Sequence, residues 1–145
     1  MEKTIELNGK YEDVPVGAEV TFARTVDGSA IDGFANAVQS FHPLHMDADW
    51  ARANSPFSDR VAHGLFTSAL LSRPIVNFIE RYKINTLLIS TTSKYIRPVV
   101  LGDTITTRLK LVEKIDARKR LRFEVESTNQ RGEVVLVGEA VEQAV

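Results

Sequence analysis

The chain contains no cysteine, which excludes disulfide bonds, thiolate nucleophiles and cysteine-ligated metal sites. Its charge is nearly balanced: 18 lysine and arginine residues face 19 acidic residues, and the resulting net charge of −1 argues against a nucleic-acid-binding protein. No apolar run has the length of a signal peptide or a membrane span. We therefore expect a cytoplasmic protein that binds neither nucleic acid nor a membrane.

The residues that are present have the composition of an ordinary globular protein. The 145 residues are 43% hydrophobic and 26% charged, which provides enough apolar material for a core without covalent cross-links. The chain has no repeat, low-complexity stretch or linker. We therefore expect one domain over residues 1–145.

The first half of the chain, to about residue 82, carries mainly helix and loop signals. Apolar residues recur at helical spacing from Ile31 to Val38, behind polar residues that favour a helix N-terminus, and Pro43 disfavours helix for the residue before it. These patterns predict a strand over 19–26, a helix over 30–40 capped by Asp27 or Ser29, an ordered loop over 41–45 and a short helix over 47–53.

The segment 61–72 (VAHGLFTSALLS) is the most apolar part of the chain. Its apolar residues extend nearly all the way round the helical wheel, which is typical of a helix buried on most sides. Pro74 removes the hydrogen bond to the Leu70 carbonyl, so we expect it to kink this helix or to begin a second segment that ends near Tyr82.

The second half of the chain is predominantly strand. Alternating apolar residues and hairpin turns predict strands over 87–96, 104–114, 120–128 and from 134 onward. An antiparallel sheet of this kind has an apolar face, and the apolar helix that precedes it is able to cover that face. The sequence therefore predicts an α+β protein of the hot-dog fold, a curled antiparallel sheet wrapped round one long buried helix. Its open edges favour a homodimer or a higher homo-oligomer.

All three histidines lie between residues 42 and 63, in the loop and at the start of the apolar helix. His45 is a candidate general acid/base, because imidazole titrates near neutral pH. The alternative is that His45 braces the loop by donating to Asp47 or to a backbone carbonyl. His42 is more simply explained as a structural hydrogen-bonding residue. A metal site made of His45, Asp47 and His63 is not expected, because these residues lack a recognised ligand spacing.

Gly64 follows His63 at the predicted start of the apolar helix. A helix N-terminus presents unpaired N–H groups, and glycine allows a ligand oxygen to approach them closely. The N–H of Gly64 is therefore a candidate donor to a thioester carbonyl, where it would stabilise an enolate. Close packing of the helix against a strand explains the glycine equally well, and both interpretations stay open.

Several basic residues are candidates for contacts with the phosphates of a nucleotide tail. For each of them the alternative is a solvated surface charge. The candidates are Arg81, Lys83, Lys94 and Arg97.

Four runs of the sequence resemble the MaoC-like dehydratases and (R)-specific enoyl-CoA hydratases. The run FANAVQSFHPLHMDADWARANSPFSDRVAHGLFTSALLS, at 34–72, resembles the core motif of that family. The run YEDVPVGAEVTFARTV (11–26) resembles the opening of the family domain, and 94–114 and 120–140 resemble its closing strands. The resemblance covers nearly the whole chain.

The resemblance implies a hot-dog enzyme of fatty acid metabolism that adds water to an enoyl-CoA or removes it from a 3-hydroxyacyl-CoA, without a metal or cofactor. Acyl carrier protein is the alternative carrier of the acyl group. In the family, an Asp and a His five residues apart hold the water, and the Gly of an Ala-His-Gly sequence donates to the thioester oxygen. Here the histidine is His45 and the glycine is Gly64. We place the substrate-binding positions at Pro43, Leu44, His63, Leu65, Ser72 and Arg97.

Three positions depart from the family pattern: its Gly is Gln39 here, its catalytic Asp is Ser40 and its Asn is His42. A serine hydroxyl is a poor proton acceptor without a base beside it. Two replacements for the missing carboxylate are open. Either His42 is the second proton carrier, or His45 transfers the proton alone while Ser40 orients the water. The catalytic candidates are therefore His45, Ser40, His42 and Gly64.

The loss of the aspartate leaves two other functions open. A hot-dog acyl-CoA thioesterase needs a carboxylate near the thioester, for which Asp32 and Asp47 are the candidates. A non-catalytic acyl-CoA-binding subunit needs no acid–base pair. Hydration is favoured, because the chain retains both His45 and Gly64.

Overall fold

The computed structural model of the protein describes residues 4–145, so residues 1–3 of the predicted domain lie outside the described residues. The helices are Gly28–Val38 (α1), Pro43–Met46 (α2), Ala48–Asn54 (α3), Gly64–Ala69 (α4) and Ser72–Tyr82 (α5). The strands are Glu19–Thr25 (β1), Thr86–Tyr95 (β2), Thr104–Ile115 (β3), Arg120–Thr128 (β4) and Val134–Ala144 (β5). Within residues 4–145, no helix is long and apolar enough to cross a membrane.

The five strands form one antiparallel sheet in the order β1-β3-β4-β5-β2, which leaves β1 and β2 at its edges. The alternation predicted for β3 and β4 is confirmed: Leu109 and Leu111 are fully buried, as is Leu121 on the neighbouring strand. Helix α5 packs against this apolar face, where Phe78 meets Phe123 edge-on with 5.0 Å between ring centroids. The apolar side of the sheet therefore encloses a helix, as the pattern predicts.

The helix predicted over 61–72 is divided into two segments, α4 and α5. The backbone stays in the right-handed region between them, with ψ of −13° at Leu70 and −19° at Leu71. Pro74 lies in the first turn of α5 and has no N–H to offer the Leu70 carbonyl. Of the two expectations for Pro74, a second segment that ends at Tyr82 is confirmed, although that segment begins two residues earlier, at Ser72.

The first of these segments is much less buried than predicted. Within α4 only Thr67 is buried, and Leu65 is 70% exposed. The buried apolar side chains of the two helices, Pro74 and Phe78, belong to α5. The prediction of burial on most sides is therefore wrong for α4. An apolar helical wheel shows which faces are apolar, but not which of them the rest of the chain covers.

Helix α1 begins and ends with defined caps. The Asp27 carboxylate accepts the N–H of Ala30 at 2.8 Å, which selects Asp27 from the two predicted N-caps. At the other end Gln39 is left-handed (φ 60°, ψ 39°), and the next N–H, of Ser40, bonds to the Ala35 carbonyl at 3.0 Å. This pattern is the Schellman motif, whose left-handed position favours glycine.

Replacing Gln39 with glycine should stabilise the protein by about 0.5–1 kcal/mol. A non-glycine residue in the left-handed region costs about 1–2 kcal/mol, and the extra freedom of glycine in the unfolded chain cancels part of that gain. Urea unfolding followed by circular dichroism measures the difference. The matched control is A37G, at a right-handed position inside α1, which should lose a similar amount. If Q39G is destabilised like A37G, the left-handed conformation is not costly here.

Candidate active site

The loop predicted over 41–45 contains one turn of helix, α2, which carries His45. His42 is its N-cap: the ring Nδ1 accepts the N–H of Leu44 at 3.0 Å. Pro43 follows at the first helical position, where its missing N–H costs no hydrogen bond. The expectation of a hydrogen-bonding role for His42 is confirmed, and the His42-Pro43 pair determines where the His45 side chain emerges.

Residues 60–62 connect the His45 loop to the turn after β2. On one side the Val61 N–H donates to the Leu44 carbonyl at 3.1 Å, and on the other the Ala62 N–H donates to the Val99 carbonyl at 2.8 Å. Val61 also forms an isolated antiparallel bridge with Val100. We call residues 60–62 the bridging segment, because they bring together three parts of the chain that lie far apart in sequence.

The imidazole of His45 is held by this bridging segment. Its Nδ1 lies 2.7 Å from the Val61 carbonyl oxygen. A carbonyl only accepts hydrogen bonds, so Nδ1 carries the proton and Nε2 keeps its lone pair in the neutral ring. Burial lowers the pKa of His45 from its ordinary 6.5, and the neighbouring rings of His63 and His42 lower it further, against the opposing effect of the Val61 hydrogen bond. The brace expected for His45 is therefore made to a backbone carbonyl, and Nε2 stays free for chemistry.

His63 lies directly against His45. The two rings are stacked, with 4.0 Å between centroids and 29° between planes. The side chain of His63 is only 5% exposed, and its Nε2 donates to the backbone carbonyl of Ser40 at 3.0 Å. Its Nδ1 is buried and has no hydrogen-bond partner among the described residues.

His45 and Gly64 face the same cleft, whose volume is about 330 Å³. Of the residues predicted for the site, Arg97 is also part of its wall. The walls consist of His45, Val61, Ala62, Gly64, Thr67, Tyr95, Ile96, Arg97, Pro98 and Val99. Most of the residues that the sequence did not single out come from 95–99, the segment that the Ala62–Val99 hydrogen bond brings beside the histidines. Only this long-range pairing identifies them.

Gly64 is the first residue of α4, so its N–H has no carbonyl of that helix to bind. A Cβ at this position would lie 3.3 Å from Cε1 of Tyr95, which is tighter than ordinary packing. The Tyr95 ring is held in place by a 3.0 Å hydrogen bond between its hydroxyl and the Ser68 hydroxyl. Close packing therefore gives one reason for the glycine, and the free N–H beside the cleft is compatible with the other.

The other predicted site residues lie outside the cleft walls. The rings of His42 and His63 lie beside the His45 ring, the Ser40 carbonyl accepts from His63, and Pro43 and Leu44 precede His45 on α2. Leu65 and Ser72 lie exposed on α4 and α5. Among the basic candidates, Arg81 donates to the Glu19 carbonyl at 2.8 Å and Lys83 is the left-handed residue that ends α5. Lys94 is exposed on β2. Arg97 alone of the four lines the cleft.

The two carboxylates considered for a thioesterase are engaged elsewhere. Asp32 forms an ion pair with Arg60, whose Nε also donates to the His45 carbonyl at 2.6 Å. Asp47 caps α3 by accepting the Trp50 N–H at 3.0 Å. Among residues 4–145, no three His, Cys, Asp or Glu side chains are grouped so as to hold a metal ion. The cleft thus offers an imidazole, a backbone N–H and a guanidinium.

Comparison with known proteins defines the class to which this fold and site belong. Residues 12–132 match the family described as "MaoC like domain". The chain is 31% identical over 131 residues to 3-hydroxybutyryl-CoA dehydratase of Methylorubrum extorquens, covering 90% of this chain and 81% of the relative. It is 27% identical to (R)-specific enoyl-CoA hydratase of Rhodospirillum rubrum, covering 90% and 88%.

A solved structure gives the same assignment. R-hydratase PhaJ1 from Pseudomonas aeruginosa superposes with a TM-score of 0.80 at 29% identity, covering 92% of this chain and 84% of that one. The chain belongs to the MaoC-like family of hot-dog proteins. The predicted fold and the predicted family of hydratases and dehydratases, which are lyases, are confirmed at this level.

Proposed function

We propose that the protein adds water to an enoyl thioester, or removes it from a 3-hydroxyacyl thioester, carried on coenzyme A or on acyl carrier protein. The observation that supports this most directly is that His45 and Gly64, from two different helices, line one cleft. The reaction needs proton transfer to and from water, and it needs stabilisation of an enolate oxygen. An imidazole and a backbone N–H on the same cleft meet both needs.

His45 is the proposed acid and base. Because Nδ1–H is bound to the Val61 carbonyl, Nε2 is the nitrogen that takes a proton from water as the water oxygen bonds to C3 of the enoyl group. The same nitrogen then returns a proton to C2. The lowered pKa of His45 keeps the imidazole neutral at neutral pH, which is the form required to accept the proton.

The N–H of Gly64 is the proposed donor to the thioester oxygen. Negative charge develops on that oxygen when water adds to C3, so a donor already in place stabilises the transition state more than the substrate. The N–H lacks a partner within α4. The missing side chain leaves this part of the cleft wall open to a ligand.

Two residues are candidates for the role that an aspartate has in the family. Ser40 occupies the corresponding position, and a hydroxyl there orients water without accepting its proton. The His42 ring lies 5.4 Å from the His45 ring, centroid to centroid, and its Nδ1 is used by the Leu44 N–H, which leaves Nε2 for a proton relay. We therefore assign Ser40 to positioning the water and keep His42 as the alternative second proton carrier.

Arg97 is the proposed contact for the phosphates of the carrier. It lines the cleft, and its guanidinium is held by the Val134 carbonyl at 2.7 Å and by Glu133 at 3.5 Å. Pro43, Leu44 and His63 do not line the cleft, and the direct substrate contacts expected for them stay predictions. Substrate contacts by Leu65 and Ser72, and the cytoplasmic location, stay predictions.

The proposed assembly is a homodimer formed along the β2 edge. This edge strand of ten residues exposes Leu87, Leu88 and Ile89 to 60, 49 and 43%. Leu65 of α4 is exposed as well. An unpaired apolar edge strand of this length is a surface that proteins normally cover. Sedimentation equilibrium of the purified chain tests the assembly, and a monomer at micromolar concentration would contradict it.

The two alternative functions have less support. A thioesterase needs a carboxylate at the thioester, and both candidates, Asp32 and Asp47, are bound elsewhere. A non-catalytic binder would not need an imidazole with a free Nε2 in the cleft. Assays of thiol release and of ligand binding without turnover distinguish these functions from hydration.

The H45Q variant tests the proposed reaction. Hydration removes the conjugated double bond, so the ultraviolet absorbance of a short enoyl-CoA falls as the reaction proceeds. We expect H45Q to lower kcat by about a hundredfold or more while the thermal unfolding midpoint changes little, because the variant loses the acid/base but not the fold. Absence of hydration by the wild-type protein with both short and medium acyl chains would refute the assignment.

The G64A variant distinguishes the two reasons for glycine at this position. A methyl group would come between the ligand oxygen and the N–H, and we expect kcat to fall by about a hundredfold or more, the usual effect of losing one such donor. The same substitution is made in a Y95A background, where the clash with the Tyr95 ring is absent. The same proportional loss is expected there. If G64A/Y95A is as active as Y95A, the glycine serves packing alone.

Restoring the family's carboxylate should raise activity. We expect S40D to increase kcat by at least about tenfold, because an aspartate beside His45 supplies the second acid–base group. The control is S40N, whose side chain has nearly the same size as aspartate but does not ionise, and it should show no gain. An S40D enzyme no faster than wild type would mean that position 40 does not reach the water.

A further inference from the structure

His63 carries a feature that packing alone does not explain. The side chain is 5% exposed, yet its Nδ1 is a buried polar atom without a partner among the described residues. Leaving such an acceptor unpaired in the interior is costly, and an apolar ring of similar size would avoid the cost. The unpaired Nδ1 is the cost of a ring whose other nitrogen, Nε2, donates a hydrogen bond, so the contacts of Nε2 and of the ring face have to account for the histidine.

The contacts that His63 does make join the two residues between which the proposed chemistry occurs. Its Nε2–H donates to the Ser40 carbonyl at 3.0 Å. Its ring face lies on the His45 imidazole, 4.0 Å between centroids. One buried side chain therefore contacts both the backbone of Ser40 and the ring of His45.

A third neighbour, Phe34, fixes the position of the His63 ring. Phe34 of α1 packs edge-on against the His63 ring with 5.1 Å between centroids, and Phe34 also meets Phe66 of α4 at 5.7 Å. The ring of His63 is thus held between α1, α2 and α4. Such enclosure is what a side chain needs in order to transmit a fixed geometry to its neighbours.

We propose that His63 is a positioning residue that sets the spacing between Ser40 and His45, an inference that rests on the proposed function. It does not line the cleft, so it acts on the reaction through those two residues and not through the substrate. Both contacts are required: the hydrogen bond holds the turn that carries Ser40, and the stacked ring prevents rotation of the His45 imidazole.

Two substitutions separate these contacts. H63F keeps an aromatic ring against His45 and removes the donor to Ser40. H63Q keeps an N–H donor near the position of Nε2 and removes the stacked ring. Because small displacements of catalytic groups slow reactions strongly, we expect each variant to lower kcat by about tenfold to a hundredfold. KM should change by less than about twofold, since His63 does not line the cleft.

Titration of His45 gives a readout that does not depend on turnover. The groups that face its ring or backbone are His42 from the same loop, His63, Arg60 with its partner Asp32, and Arg97 across the cleft. The ring of His63 is one of the causes that lower the pKa of His45. In both variants the pKa of His45, followed by NMR of the ring nitrogens, should therefore rise toward 6.5.

The control is F123L, a substitution of a buried ring in the sheet core that packs against Phe78 and does not line the cleft. It should lower the unfolding midpoint and leave both kcat per folded molecule and the pKa of His45 unchanged. Either His63 variant with wild-type kcat would overturn the proposal, because both contacts are required. If wild-type protein hydrates no enoyl thioester, the proposed function fails, and the NMR titration still decides whether His63 controls His45.

Discussion

The bridging segment, residues 60–62, is hydrogen-bonded on both of its sides, and the position of each group in the site follows from it. On one side it receives the Nδ1–H of His45 and donates to Leu44. On the other it pairs with Val99 and Val100, which puts the segment 95–99 beside Gly64. The backbone of three residues thus joins a loop, a helix start and a strand end into one cleft.

In this arrangement, the electrostatics of the site depend on which polar atoms already have a hydrogen-bond or ion-pair partner. The Val61 carbonyl accepts the Nδ1–H of His45, and burial, together with the rings of His63 and His42, lowers the pKa of His45 and so disfavours a second proton on the ring. The two carboxylates considered for the site are bound elsewhere: Asp32 pairs with Arg60, and Asp47 caps α3. The His45 imidazole is therefore neutral, with its Nε2 unpaired among the described residues. Neither of these carboxylates is available to stabilise a protonated ring.

The three residues that depart from the family motif lie in a turn and a cap of defined geometry. Gln39 ends α1 in the left-handed conformation, which glycine would adopt at lower cost, and the next N–H, of Ser40, bonds to the Ala35 carbonyl. His42 caps α2 through its ring Nδ1, so the helix that presents His45 begins at Pro43. Position 40 alone exchanges an ionisable group for a hydroxyl. The backbone at positions 39–42 is therefore ordered by hydrogen bonds, although the residue at position 40 is not ionisable.

Local signals in the sequence by themselves determined the strands, the helical segment that ends at Tyr82, a cap for α1 by Asp27 or Ser29, and the candidacy of His45 and Gly64, because each depends on residues a few positions apart. The tertiary structure determined the long-range contacts, which no local sequence pattern predicts. The pairing of Ala62 with Val99 brought Tyr95 and Arg97 to the cleft, the ion pair with Arg60 removed Asp32, and the sheet covered α5 but not α4. The reason is physical: contacts between residues 28 or more positions apart depend on how the whole chain folds, and a periodicity shows only that a face is apolar, not what packs against it.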